Sequence, residues 1–597
     1  MGDQKNLILA AVLSFLVIGL WEAFVIGPQR EQARIAQEIE AARLAQNPTV
    51  SEDGISTPGG IGSPTAALVL SREDALAGSD RIMIDSPAVD GSISLVGGRI
   101  DDLNLKDYNV TIEEGSPEVT LLSPENGPSP YYSVFGWVGS RDAGQTPNRK
   151  TEWKKVEGST LGLDAPVVLE WTNDDGLTFR KRYEIDKDYL FTVTQEVTNS
   201  RDEAVTLRPY GVIARHGEPE TLGMYLLHEG AIGAYDGITE EMDYDEFAES
   251  PFERAENSNI KKIDVAKNGY IGFTDKYWMT ALIPEPGVPF TAAYSIGIKQ
   301  EVYQTGVRFN VISVAPGASA SSKVHFFAGA KRAEVLKQYE ETLGVDRLYD
   351  AIDWGWFYFL TKPFFWLLST IYKLVGNFGV AIILLTVLVK AAMFPLAYKS
   401  YVSMGRMKKL QPQTEKIREK HKEDPQAMQR AMMDLYKKEK VNPAAGCLPI
   451  LLQIPVFFAL YKVLFVTLEM RHAPFFGWIK DLSAPDPTSI FTGFGLFDWS
   501  LPTFLLIGIW PIIMGITMWM QMQLNPAPPD PIQKKIFAWM PVFFTLLLGS
   551  FPAGLVIYWT ANNVLTIVQQ ATIMKSQGAK IELFDNMKAL FTRKKTE

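Results

Sequence analysis

The chain has 597 residues, 47% of them hydrophobic and 12% aromatic, so it is long enough for several domains and apolar enough for several membrane-spanning helices. Its one cysteine, Cys447, excludes an intramolecular disulfide, and its five scattered histidines show no metal-ligand spacing. The net charge of −10 conceals a basic segment, residues 397–446, with twelve Lys or Arg against six Asp or Glu. In a membrane protein, such segregation indicates topology and contact with anionic lipid or RNA rather than a nucleic-acid-binding fold.

An apolar run, Leu7–Ile26, lies near the start of the chain. It is long for the apolar region of a signal peptide, it contains Trp21 near its end, and no small-x-small cleavage site follows it. We therefore predict an uncleaved membrane anchor at residues 1–27 with a cytoplasmic N-terminus, and a cleavable signal peptide is the alternative. Residues 28–80 are predicted to form a polar helical stalk and then a flexible linker rich in Gly, Pro, Ser and Asp.

Residues 81–330 contain many short segments rich in Val, Thr, Tyr and Phe. In one of them, Tyr189–Thr198, apolar side chains recur at every second position, as in a strand with one buried face. The turn sequence Asn173–Gly176 separates two such segments, which predicts a β-hairpin. We predict one large soluble antiparallel β-sandwich, in which no nucleophile–base pair or metal-ligand pattern stands out.

Residues 331–360 are predicted to contain an amphipathic helix, over Ala333–Trp356. Apolar residues recur in it near helical spacing, and an aromatic cluster follows at its end. This pattern favours a helix lying in the membrane interface. A helix packed on the β-sandwich is the alternative.

Five apolar segments follow residue 361. The first, within residues 361–398, carries Lys390, and the other four lie within residues 447–574. The predicted fold is an α-helical polytopic membrane protein with six spans, counting the N-terminal anchor, together with the β-sandwich and a cytoplasmic helical hairpin. The four later spans, of which the last two form a tight hairpin, are predicted at Leu448–Leu468, Pro502–Met522, Ile536–Gly549 and Pro552–Thr572.

The loop charges support this topology. With the N-terminus in the cytoplasm, the basic segments at residues 399–446, 534–535 and 575–597 all fall on the cytoplasmic side, as the positive-inside rule requires. Residues 399–446 show helical periodicity on both sides of Pro425, so we predict a hairpin of two antiparallel amphipathic helices. Its methionine-rich stripe is suited to binding varied apolar segments, and pairing of the two helices alone is the alternative.

Lys390 lies between Val389 and Ala391 in an apolar segment. A charge at membrane depth costs about 2.5–3.5 kcal/mol even on insertion scales, so such residues usually face protein or a water-filled cavity. In a helix from about Leu374 to Leu396, Lys390 would lie roughly 7 Å past the midpoint. A lysine there is also able to extend towards the head groups. Position alone therefore does not decide whether Lys390 faces protein or a water-filled cavity, or reaches the head groups.

Six segments in the second half of the chain carry a resemblance to a known family. They are TVLVKAAMFPL, LQPQTEKIREK, MMDLYKKEKVNPAAGCLPILLQIPVFFALY, RHAPFFGWIKDLSAPDP, KKIFAWMPVFFT and FPAGLVIYWTANNVLTIVQQ. Over Phe364–Thr572, in this order, the chain resembles the YidC membrane-protein insertase family, and an anchor followed by a β domain is similar to its Gram-negative form. The resemblance implies an insertase and chaperone of the bacterial inner membrane, working alone or with the Sec translocon, whose spans enclose a hydrophilic groove open to the cytoplasm and lipid.

The resemblance implies that Lys390 and Thr386 line this groove. The family usually has arginine where this chain has Lys390, and lysine keeps the charge but not the planar, bidentate fork. Trp559 lies where family members have tyrosine or tryptophan. Three further polar residues within the predicted spans are suited to lining the groove, with hydrogen bonding between helices as the alternative: Gln453, Gln521 and Asn562.

The expected partners are nascent membrane proteins, membrane lipids and components of the Sec translocon. Contact of the cytoplasmic hairpin and the basic tail with the ribosome stays open, since Lys and Arg suit RNA phosphates. No cofactor, metal or catalytic residue is predicted. A secondary transporter, which would usually show internal repeats, is one alternative function. A membrane-tethered periplasmic carbohydrate-active protein is another, and it leaves the C-terminal spans unexplained.

Overall fold

A computed structural model describes residues 70–140, 143–219, 221, 227–297, 301–421, 424–439, 441, 448–489, 507–525 and 531–578. The predicted anchor at residues 1–27, residues 28–69 of the predicted stalk and linker, and residues 579–597 of the predicted tail lie outside them. The chain divides into two compact units at the boundary between Ala351 and Ile352, with Thr111–Gly115 grouped with the second.

The first unit is built mainly from strands. In chain order they are β1 Arg81–Asp85, β2 Val89–Ser94, β3 Arg99–Asn109, β4 Glu118–Leu122, β5 Tyr131–Gly139, β6 Lys154–Glu157, β7 Thr160–Leu161, β8 Val167–Thr172, β9 Leu177–Ile185, β10 Leu190–Asn199, β11 Val205–His216, β12 Gly230–Tyr235, β13 Ile238–Met242, β14 Phe252–Glu253, β15 Ser258–Val265, β16 Gly269–Thr274, β17 Trp278–Pro284, β18 Phe290–Gly297, β19 Val302–Phe309, β20 Ile312–Val314 and β21 Ser319–Ala330.

These strands form two large sheets that pack face to face. One has the order β14-β15-β18-β19-β11-β5-β3-β2-β1-β7, with β20 paired to β11 and β4 to β3. The other has the order β13-β12-β16-β17-β21-β10-β9-β8-β6. Phe135 of the first sheet and Phe326 of the second meet in the core with ring centroids 6.0 Å apart. The predicted antiparallel β-sandwich is confirmed, apart from the short parallel pair of β1 with β7.

The turn at Asn173–Gly176 joins β8 to β9 as predicted. The side-chain oxygen of Asn173 accepts hydrogen bonds from the backbone N–H groups of Asp175 and Leu177. Gly176 has a φ of 86°, a conformation that glycine adopts without strain. The two strands then pair antiparallel, so the predicted hairpin is confirmed.

The helices of both units have defined bounds in the described residues. In chain order they are α1 Arg72–Ala77, α2 Glu246–Glu249, α3 Ala333–Leu343, α4 Tyr358–Val375, α5 Phe378–Lys409, α6 Gln411–Lys420, α7 Pro425–Lys438, α8 Leu448–Val466, α9 Ile509–Leu524, α10 Pro531–Leu548 and α11 Ala553–Ser576, with short 3₁₀ turns at Leu348–Ala351 and Leu468–Met470.

The prediction of one interfacial helix over Ala333–Trp356 is wrong. The helix α3 ends at Leu343, because Gly344 takes the left-handed conformation with a φ of 67°. A 3₁₀ turn follows, and a separate helix, α4, begins only at Tyr358. The periodicity in the sequence continues across a glycine that stops the helix.

The apolar face of α3 packs on the β domain, which was the alternative. Leu336 is fully buried, and Tyr339 is 3% exposed. The Tyr339 hydroxyl donates a hydrogen bond of 2.6 Å to the Asp186 carboxylate and accepts one of 3.3 Å from the Tyr189 backbone N–H. These contacts hold α3 in the first unit.

The helix that carries Lys390 begins later than predicted. Gly376, with a φ of 68°, ends α4, and the Asn377 side chain caps α5 by accepting a hydrogen bond from the Val380 N–H. The predicted start near Leu374 is therefore wrong. The helix then continues beyond the predicted limit at residue 398 and ends at Lys409.

Among the described residues, α5 alone is long and apolar enough to cross a membrane by length and composition. Shorter apolar helices lie at Gln453–Val466 and Lys535–Leu548. The two helices expected on either side of Pro425 are α6 and α7. The count of six spans and the antiparallel cytoplasmic hairpin stay predictions.

The role of Tyr339 can be tested by hydrogen exchange of the full chain. Tyr339→Phe removes the donor to Asp186, so the docking of α3 should weaken by about 1–3 kcal/mol. Mass spectrometry should then show exchange in Ala333–Leu343 at least roughly fivefold faster. Glu341→Gln, at an exposed position of the same helix, should leave the rate unchanged. Equal rates in the two variants would contradict the role assigned to Tyr339.

Candidate functional site

The polar side chains of α11 join it to three other helices of the second unit. Polar residues in an apolar helix bundle are stable where they find partners on a neighbouring helix. Aromatic packing adds to this, since Trp559 lies 4.7 Å from Phe457 of α8 and 5.9 Å from Phe544 of α10 between ring centroids. The polar pairs are Lys390 of α5 with Thr566, Gln453 of α8 with Tyr558, and Thr517 of α9 with Asn563.

Lys390 points towards α11. Its ammonium group donates a hydrogen bond of 2.9 Å to the Thr566 hydroxyl, and that hydroxyl donates one of 2.7 Å to the Asn562 carbonyl. The Lys390 side chain is half-buried. Since an ammonium group has three donors, two remain for water or for a bound anion.

The start of α5 at Phe378 places Lys390 deep in the helix. It lies about 18 Å from the helix start, at a rise of about 1.5 Å per residue. If Phe378 lies at one face of a hydrocarbon core of about 30 Å, Lys390 is about 3 Å past the midpoint. The bond to Thr566 directs the ammonium towards another helix.

Lys462 of α8 is a second lysine in an apolar helix, and its surroundings differ. It is 8% exposed and forms an ion pair with Asp353. Gly355, with a φ of 69°, lies so close that a Cβ there would be 2.8 Å from the Lys462 Cε. Among the described residues, by contrast, no carboxylate lies within ion-pair distance of Lys390. Lys390 therefore keeps a charge that a carboxylate can still neutralise.

Two buried acceptors lie on α11 near Thr566. Within the described part of the chain, Asn562 Oδ1 and Gln569 Oε1 have no hydrogen-bond partner. A buried acceptor without a partner costs about 1–3 kcal/mol, so such groups normally bind water or a ligand. Asn562 and Gln569 lie about two turns apart on α11. Each is therefore on a turn next to that of Thr566, on the same side of the helix.

The structure brings four of the six predicted site residues into contact with α11 or onto it. Lys390 and Gln453 contact α11, while Trp559 and Asn562 belong to it. Thr386 is 2% exposed, and its hydroxyl donates to the Ile382 carbonyl of its own helix. The Gln521 side chain is half-buried on α9 and makes no hydrogen bond to a described residue.

Two residues at these contacts were not predicted from the sequence. Thr566 is one, although it holds Lys390. Gln570 is 1% exposed, and its side-chain amide donates a hydrogen bond of 2.9 Å to the Asn525 side-chain oxygen, at the end of α9. A signal was present in the sequence, because polar residues recur at helical spacing in α11: Asn562, Asn563, Thr566, Gln569 and Gln570.

Two protein-family profiles match this chain. One, described as 60Kd inner membrane protein, matches residues 370–580, and the other, described as YidC periplasmic domain, matches residues 81–367. The curated "Membrane protein insertase YidC" of Dinoroseobacter shibae is 49% identical over 100% of this chain and 99% of that protein. The chain belongs to the YidC membrane-protein insertase family.

Other relatives in this family are similarly close. "Membrane protein insertase YidC" of Methylobacterium radiotolerans is 48% identical over 99% of this chain and 98% of that protein. A crystal structure of an active YidC insertase with its first transmembrane domain resolved covers 82% of this chain and 92% of that chain, at 18% identity and a TM-score of 0.35. Family membership therefore rests on the sequence relatives and the two profiles.

A pair of threonine variants tests the contact with Lys390. Thr566→Val removes the acceptor of the ammonium group and a hydrogen bond within α11, whereas Thr560→Val removes only the bond of its hydroxyl to the Val556 carbonyl. Thr566→Val should therefore lower the free energy of unfolding by about 1–2 kcal/mol more than Thr560→Val. Unfolding of the purified chain in mixed detergent micelles measures this difference.

The same measurement in a Lys390→Met background is the control. There the two threonine variants should cost equal free energy, because no ammonium group remains. An extra cost of Thr566→Val that persists in the Met background would contradict the contact.

Proposed function

We propose that this chain inserts and helps to fold proteins of the bacterial inner membrane, through a polar groove whose wall carries Lys390. The observation that supports this most is the position of that ammonium group. It lies in a long apolar helix, it is held by a hydroxyl of another helix, and it has no described carboxylate partner. A permanent structural charge would be expected to have one, as Lys462 has.

The physical problem of insertion is the passage of a short polar, often acidic, tail across hydrocarbon. Each polar group without a partner costs several kcal/mol there. A hydrated groove shortens the apolar distance that the tail must cross, and a positive charge at its wall attracts a carboxylate. Because lysine is a compact point charge on a flexible stem, it serves this role by attraction rather than by bidentate binding.

Neighbouring polar groups complete the proposed groove. The acceptors on Asn562 and Gln569 suit bound water or the amide groups of an entering tail. In this proposal Gln453 and Gln521 line the polar side, Thr386 supports that side from its buried position, and Trp559 forms an aromatic boundary against α8 and α10. The groups would replace part of the water that a polar tail loses on entry.

The apolar segment of the substrate would leave along α5 and α8. Leu388 and Phe394 on α5 are 47% and 43% exposed, and Ile454 and Phe458 on α8 are 43% and 37% exposed. Transfer of an apolar helix from water to lipid is favourable without a coupled reaction, since it is worth about 25 cal/mol per Å² of apolar surface. The role we propose is accordingly non-catalytic.

We further propose the predicted topology, with cytoplasmic termini and the β domain in the periplasm. The basic helices α6 and α7 would then meet the cytoplasm and anionic lipid. Nascent membrane proteins are the proposed substrates. Components of the Sec translocon are proposed partners, and the hairpin and basic tail are proposed to contact the ribosome through RNA phosphates.

Charge substitutions at Lys390 test the groove. Lys390→Ala should lower insertion of a substrate with an acidic tail by roughly tenfold, equivalent to about 1.4 kcal/mol, because the attraction is lost. Lys390→Arg should retain insertion, because the charge remains. Depletion of the native protein with complementation by each variant, followed by protease protection of the substrate tail, measures insertion.

Two controls separate the charge from general damage. Val389→Ala changes the neighbouring residue and should insert normally. A substrate whose tail has its carboxylates replaced by amides should respond little to Lys390→Ala. Full growth and full insertion of acidic tails with Lys390→Ala would reject the charged groove.

Deletion of residues 81–327 distinguishes the proposal from a tethered periplasmic enzyme. All residues of the proposed groove belong to the second unit, so insertion should largely remain. If complementation is lost on deletion of the β domain but survives Lys390→Ala, the activity resides in that domain instead.

A further inference from the structure

A slot between α9 and α10 is separate from the contacts of Lys390. Its volume is about 350 Å³, which lies within the range of about 300–1,000 Å³ that is usual for ligand pockets. It is lined from α9 by residues that include Ile516 and Trp519, and from α10 by residues that include Ala538, Val542 and Leu546. All five side chains present apolar surface.

One polar side chain, Thr545, lines the slot, and its hydroxyl is already used. It donates a hydrogen bond of 2.7 Å to the Pro541 carbonyl. The two helices are in close contact here, since a Cβ at Gly515 would lie 2.0 Å from Thr545 Oγ1. A polar ligand would lose its hydration without compensation, so the slot favours an apolar occupant.

The slot opens on the side of the helix pair. Ile516, Val542 and Leu546 line it and are 54%, 48% and 43% exposed. From Ala538 to Leu546 it extends about 12 Å along α10, at about 1.5 Å per residue. A further helix, about 10 Å or more in diameter, is too wide to enter a slot of this volume. A single extended hydrocarbon chain has the right shape.

A lysine lies on α10 just beyond one end of the slot. Lys535 does not line the slot, but it is exposed one turn before the lining residue Ala538, and helix positions three residues apart share a face. Trp519 of α9 lines the same end, and tryptophan is enriched at the level of lipid head groups. The end near Lys535 is thus suited to a negative head group, while the rest is suited to its acyl chain.

We propose that this slot binds one acyl chain of an anionic phospholipid, with the head group held by Lys535. The charge selects anionic over zwitterionic lipids. The site is distinct from the proposed insertion groove, and it would supply a lipid that stays with the protein between α9 and α10.

Photolabelling of the full chain in nanodiscs tests this site. The probes are phosphatidylglycerol and phosphatidylcholine that carry the same diazirine in one acyl chain, each at low fraction in a phosphatidylethanolamine bilayer. Phosphatidylglycerol should label peptides within residues 512–519 or 538–546 at least fivefold more than phosphatidylcholine. Lys535→Gln should reduce that preference to below twofold, and Lys420→Gln, a matched change on α6, should leave it intact.

Variants that fill the slot provide a second test. Val542→Trp should lower labelling at least fivefold, whereas Val568→Trp, on α11 and 57% exposed, should not. If Val542→Trp fails to fold, Ala538→Leu fills the slot with a smaller change and should give the same loss. Lys390→Ala should leave labelling unchanged, so the outcome is independent of insertion.

Three results would overturn the proposal. These are equal labelling by the two lipids, labelling that resists both slot-filling variants, and displacement of the lipid by a stalled nascent chain that crosslinks to Val542. The last result would assign the slot to substrate.

Discussion

A cation inside an apolar helix bundle is the constraint on which the second unit depends. An ammonium group taken from water costs several kcal/mol unless protein or water solvates it. Helix α5 supplies the cation at Lys390, and α11 supplies the acceptor at Thr566. The two helices stay close to each other on both sides of this bond. A Cβ added at Gly554 would lie 3.5 Å from Ile382 Cδ1 near one end, and Met404 and Ile573 share a buried cluster near the other.

The two lysines of the apolar helices show two ways of meeting this constraint. Lys462 is neutralised by Asp353, and the pair therefore has little attraction left for a third charge. Lys390 has a neutral hydroxyl as its partner, which solvates the ammonium without cancelling its charge. The second unit thus holds one lysine in an ion pair and the other with a neutral hydroxyl as its described partner.

Local signals in the sequence predicted the β domain and found the charged position. The alternation in Tyr189–Thr198 and the turn at Asn173–Gly176 depend on neighbouring residues, so they were predicted correctly. Helix ends were missed where one left-handed glycine decides them, as at Gly344 and Gly376. The partner of Lys390 was missed for another reason. Thr566 is 176 residues away, and a helical threonine usually bonds only to its own backbone.

Water contact at the inner face of α11 tests the central claim most directly. A nitroxide is attached at Asn562→Cys in a full chain whose native cysteine is removed by Cys447→Ser, and the chain is reconstituted in nanodiscs. The label reports contact with D₂O by electron spin echo modulation and contact with dissolved oxygen by relaxation. The same label at Leu388→Cys, on an exposed apolar position of α5, is the reference. The groove predicts strong D₂O contact at residue 562 and strong oxygen contact at residue 388. Equally dry signals at both positions would contradict it.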